Sequence, residues 1–223
     1  MMLRRSFLST FSAVGALLGG SDQKPAEPAA GRFEPARHAR DDWFDQLPGK
    51  HRVVFDTWTA DRFDDAIRFA NNIFRGNKDG YDLSERDHAV IIVVRHRTAP
   101  FAFNDAMWAK YGATLSERAN GFVDPKTKQV PTSNIYMTAG SGEEPTNSGA
   151  PLDALLKRGV RLAVCSLSTR AAATAITQKS GAKVDDVFKE LTDHLVPNAR
   201  MVAAGIVAVS RAQEHGYTFS YVT

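Results

Sequence analysis

The run His88-Ala89-Val90-Ile91-Ile92-Val93-Val94-Arg95 is apolar at odd and even positions alike. An extended chain turns successive side chains to opposite faces, so this segment must be buried from both sides, as a strand of a parallel sheet is. Residues 51–56 (His51-Arg52-Val53-Val54-Phe55-Asp56) and 158–165 (Arg158-Gly159-Val160-Arg161-Leu162-Ala163-Val164-Cys165) read the same way, and shorter strands are expected at 200–203 and 217–222. Helical spacing fills the gaps. Phe63, Ala66, Ile67, Ala70, Ile73 and Phe74 share one face of a helix that Gly76 to Gly80 should stop. Further helices are expected over 103–111, through Leu152, Leu155 and Leu156, over 166–180, over 184–195 and over 205–214. Such alternation predicts an α/β three-layer sandwich: about five mainly parallel strands with helices on both faces.

One stretch breaks the pattern. Residues 113–147 hold Pro125, Pro131 and Pro145, several glycines and little periodicity, and read as an inserted loop or hairpin, the kind of segment that forms lids. Ahead of the strands, residues 31–50 form a linker and a short docked segment in which Trp43, Phe44 and Leu47 supply a helical turn before Pro48-Gly49.

The first 30 residues are of a different kind. Met1-Met2-Leu3-Arg4-Arg5-Ser6-Phe7-Leu8 followed by an uncharged run to Gly20 reads as a twin-arginine export signal with a polar tail after it. That reading implies a periplasmic or otherwise exported protein that folds before it crosses the membrane and meets the membrane only through its signal. The mature domain then corresponds to residues 51–223.

Composition excludes several classes. The formal net charge is only +3, without the concentrated basic face that nucleic acid requires. A single cysteine, Cys165, forms no internal disulfide, and the six histidines lack metal-ligand spacing, so neither a metal nor a cofactor is expected. Phosphate-loop, dinucleotide and nucleophile-elbow motifs are missing.

In an open parallel sheet, ligands gather beyond the carboxyl ends of the strands. Three such ends carry reactive side chains: Asp56 after the first strand, His96 after the second and Cys165 after the third. Cys165 also opens a helix through Ser166, Leu167, Ser168, Thr169 and Arg170, and the unpaired N–H groups there favour thiolate over thiol. Arg170 and Arg161 are candidates to add positive field, and Ser166, Ser168, Thr169 and Asn104 to contact an anion. A nucleophilic role follows for Cys165 and a base or donor role for His96. The competing reading makes Cys165 a small core residue, since cysteine is among the most buried types.

Leu156-Lys157-Arg158-Gly159-Val160 leading into Leu162-Ala163-Val164-Cys165 resembles the DsrE/DsrF-like proteins. So do Leu195-Val196-Pro197 leading into Val202-Ala203-Ala204-Gly205-Ile206-Val207, and the closing Gln213-Glu214-His215-Gly216-Tyr217-Thr218-Phe219. The resemblance covers about residues 51–222, less the insertion. It implies a five-stranded parallel sheet, homo-oligomers, and a cysteine at Cys165 that carries persulfide sulfur between donor and acceptor proteins or small sulfur anions. The alternative is a non-catalytic oligomeric small-ligand-binding or assembly protein of the same fold.

Overall fold

A computed structural model describes residues 34–138 and 151–223. The region expected as an export signal, and the end of the insertion, lie outside the described residues. Among the described residues no helix is long and apolar enough to cross a membrane.

Residues Arg37–Thr223 form one compact unit. Its five strands are β1 (His51–Thr57), β2 (His88–Val94), β3 (Arg161–Cys165), β4 (Ala199–Val202) and β5 (Thr218–Val222). They pair in the order β4-β3-β2-β1-β5, and every pairing is parallel. The helices are α1 (Phe63–Tyr81), α2 (Asp105–Arg118), α3 (Leu152–Lys157), α4 (Ser166–Ser180), α5 (Val184–Asp193) and α6 (Gly205–Glu214). The expected sandwich is the observed one, with its two covering layers unequal.

Val53, Phe55, Val90, Ile92, Leu162 and Val164 face the thick layer, where α1 to α5 supply Ile67, Leu115, Leu155, Ile176 and Leu191. The alternate residues Val54, Ile91, Val93 and Ala163 face the thin layer, made of α6 and a 3-10 turn at Ala39–Phe44. All seven residues of β2 are buried, which its two-sided apolar run requires.

The segment before β1 is integral to the domain. The Arg52 guanidinium donates to the carbonyls of Phe44, Leu47 and Gly49, and the Tyr217 hydroxyl donates to Phe44 O at 2.7 Å. Gly49 passes so close to β2 that a Cβ there would lie 2.0 Å from the His88 carbonyl carbon.

Two expected boundaries move. Helix α1 does not stop at Gly76 or Gly80; it runs to Tyr81 and ends at Asp82, whose φ of 55° is left-handed. A glycine lowers helix propensity by only about 1 kcal/mol, and the packing of Phe63, Ile67, Ala70 and Phe74 against the sheet holds the helix through both. Helix α2 likewise continues past Tyr111 to Arg118, because Leu115 is buried in the thick layer. The loop proper therefore starts after Arg118. Its described part is strapped down: Asp124 and Gln129 close a tight turn, and the Asn134 amide donates to the carbonyls of Phe101 and Phe103 at 2.7 and 2.9 Å. Tyr136 sits edge-on to both Phe63 and Phe101, so this part is core packing and not a lid.

Candidate functional site

Register brings the expected residues to one edge. Thr57 pairs with Val94, and Val94 with Val164, so β1, β2 and β3 end side by side. The residues that follow them share the carboxyl edge of the sheet.

Cys165 is the last residue of β3 and the N-cap of α4. The strand requires an apolar residue there, and the helix requires an acceptor for its free N–H groups. The thiol supplies both properties: Cys165 is only 5% exposed, and its Sγ accepts the Ser168 N–H at 3.4 Å. Thr169, fully buried, donates its hydroxyl back to the Cys165 carbonyl at 3.1 Å and thus serves the helix rather than a ligand. Ser166 is partly exposed, and Leu167 is 66% exposed beside it.

Ser168 ties this helix start to the end of β2. Its hydroxyl accepts the His96 backbone N–H at 2.9 Å. His96 has φ 53°, a left-handed conformation that this bond helps to hold. The ring stacks on Trp58 with centroids 4.0 Å apart and planes 8° from parallel, and Nδ1 is buried without a partner among the described residues. Burial, then the charges of Arg97, Arg118 and Arg95, hold the imidazole pKa below its usual value. It is therefore neutral at neutral pH.

The sheet edge also carries an ion pair. Arg95 binds Asp56 with two nearly parallel bonds, Nε to Oδ1 at 2.6 Å and Nη2 to Oδ2 at 2.7 Å. Asp56 is 2% exposed, so its carboxylate is committed to Arg95 and is not the open ligand contact expected of it. The Arg95 stem lies against the start of α6, where a Cβ on Gly205 would come within 2.8 Å of Arg95 Cβ and Cδ. Trp58 covers the guanidinium at 4.6 Å. Below them the hydroxyls of Thr57 and Thr98 meet at 2.7 Å. Arg95 and Trp58 are the residues that reading the sequence missed. Their signal was Asp56 itself: a carboxylate at the end of an apolar strand has to be paired.

Other candidates fall elsewhere. Arg170 pairs with Asp185 at 2.8 Å and lies over the Phe188 ring, so its charge is spent on α5. Arg161 sits at the opposite end of β3, about 13 Å from Cys165 at 3.3 Å per residue, and bonds Asn198. Asn104 caps α2 through Met107 N and lines a separate cavity of about 260 Å³ with Val196 and Pro197.

No cluster of three metal-ligating side chains exists among the described residues. Next to Cys165, whose register partner is Val202, a cavity of about 270 Å³ opens between the Ala39–Phe44 turn and α6. The site as built sets Cys165 at the head of α4 and couples that helix start, through Ser168, to the His96 turn. In comparison with known proteins, the chain matches no family model, and no curated protein matches it.

Proposed function

We propose that this chain is an exported sulfur carrier of the DsrE/DsrF-like kind, holding sulfane sulfur as a persulfide on Cys165. The observation that carries the reading is the Ser168 N–H donated to Cys165 Sγ at the first turn of α4. The N-terminus of α4 and that donor turn partial positive charge toward the sulfur. With thiosulfate as donor, the Cys165 thiolate attacks the outer sulfur. The new Cys165 S–S bond forms as the donor's S–S bond breaks, and the electron pair leaves on sulfite. An acceptor thiolate reverses the process by taking the outer sulfur from the persulfide and returning Cys165 as thiolate. His96 is tethered to the same helix start through Ser168.

The test is intact mass before and after exposure to polysulfide or thiosulfate, with Cys165→Ser alongside. A gain of sulfur mass, reversed by reductant and absent in the variant, is the expected result. Equal gain by the variant rejects the reading. For export, fractionation of cells should place the chain outside the cytoplasm, and replacing Arg4 and Arg5 with lysines should retain it inside.

The 5% exposure of Cys165 favours a second reading, an oligomeric small-ligand-binding or assembly protein whose thiol is core. Exposed Trp58, Leu167, Ile206 and Tyr221 near the same sheet edge are suited to contact between copies. A native thiol inert to alkylation, together with no sulfur gain, selects this reading.

A further inference from the structure

The cavity between the Ala39–Phe44 turn and α6 combines positive charge with an apolar wall. Arg40 and Arg200 both line it. Arg200 rests near the Trp43 ring at 5.7 Å, and among the described residues neither guanidinium has an anionic partner. Asp41, the carboxylate on the cavity wall, lies 3.5 Å from Arg211, which Glu214 holds more closely at 2.6 Å. The wall thus carries two guanidinium groups against one carboxylate, a net positive excess.

Two other cavities differ from it. One of about 400 Å³ sets Arg75, Lys78 and Arg158 against Asp79, Asp82 and Glu85. Another of about 450 Å³ shares Arg200 and adds Arg161, which bonds Asn198, but it does not reach the start of α6 or its apolar wall.

The remaining surface of the charged cavity is apolar, from Val202, Ala204, Val207 and Ala208. The first turn of α6 borders it without a side-chain cap or an acidic residue, which leaves the positive end of the helix uncompensated as well. Its volume of about 270 Å³ falls just below the range of roughly 300–1,000 Å³ typical of drug-sized pockets. Trp43 stacks on Phe44 at 4.1 Å and has Arg200 over its ring at 5.7 Å.

We propose that this cavity binds a small aliphatic oxyanion, a phosphate ester or carboxylate with a short apolar body, whose head is held by Arg40 and Arg200. Guanidinium groups offer forked donors that match such heads. The apolar wall takes the body. The inference stands apart from sulfur chemistry at Cys165, although the Cys165–Val202 pairing puts both on one sheet edge.

Calorimetric titration of the full chain with butyl phosphate, butyrate and inorganic phosphate tests it. Butyl phosphate or butyrate is expected to bind, whichever is tighter identifying the preferred head, and butyl phosphate to bind more tightly than inorganic phosphate. Arg40→Gln and Arg200→Gln should each weaken binding about tenfold, the effect of losing a charged hydrogen bond. Arg75→Gln, in the charge-balanced cavity at the end of α1, should leave it unchanged. Thermal midpoints of the variants should match the parent, because neither arginine holds an ion pair in the described fold. No heat from any probe at millimolar concentration overturns the proposal, as does equal weakening by Arg75→Gln.

Discussion

The Ser168 amide donates to Cys165 Sγ at 3.4 Å while the same residue's hydroxyl accepts the His96 N–H at 2.9 Å. One serine thus couples the head of α4 to the left-handed turn that follows β2. Removing the hydroxyl by Ser168→Ala leaves the donor to sulfur in place and takes away only the tether of His96. The variant should lose about 1 kcal/mol of stability, the net worth of one such hydrogen bond, in urea unfolding. A midpoint equal to the parent's would mean that the His96 turn holds itself.

Asp56→Asn tests the buried ion pair. With Asp56 3% and Arg95 14% exposed at the side chain, the substitution strands a guanidinium that water reaches poorly. Breaking a buried pair from one side costs about 3–5 kcal/mol. Arg95→Met in the same background should recover much of that loss, since it removes the stranded charge and keeps the packing against Gly205 and Trp58. A double-mutant cycle with no recovery would show that the two residues act independently.

What the sequence makes legible is local. The central strands β1, β2 and β3 are apolar runs, and β2 with its two-sided burial is the clearest. Cys165 is readable as the junction of β3 and α4 because strand and helix patterns abut there. Pairing across the fold is not readable in this way. Arg95 reaches Asp56 from 39 positions away, and Arg170 meets Asp185 15 positions on. Composition offers many equivalent partners for each. Arg170 therefore looked available beside Cys165, whereas Arg95, placed correctly at the end of β2, was given no role.

The His96 imidazole is expected to make stability fall with acid. Its folded pKa lies below the unfolded value of about 6.5, with burial the leading cause. Above the unfolded pKa both states hold a neutral ring, and the full stability is present. As pH drops through that value the unfolded chain takes up the proton first, so stability declines until the folded pKa is passed. Urea midpoints from pH 8 to about 5 should show this slope reduced in His96→Asn, which accepts the left-handed φ. An unchanged slope would assign the acid sensitivity to other groups.

The glycines of α1 give a prediction of the opposite sign. Gly76 and Gly80 lie inside the helix, and a Cβ at either would meet nothing within 4 Å. Alanine there removes unfolded-state freedom without a clash, so Gly76→Ala and Gly80→Ala should each add roughly 0.5–1 kcal/mol. Gly49→Ala should do the reverse, losing about 1–3 kcal/mol to overpacking, because its Cβ would press on the His88 backbone. Thermal melts of the three variants separate the cases. Destabilisation by Gly80→Ala would mean that the last turn of α1 needs the glycine's freedom, and that the helix ends nearer to where its sequence suggests.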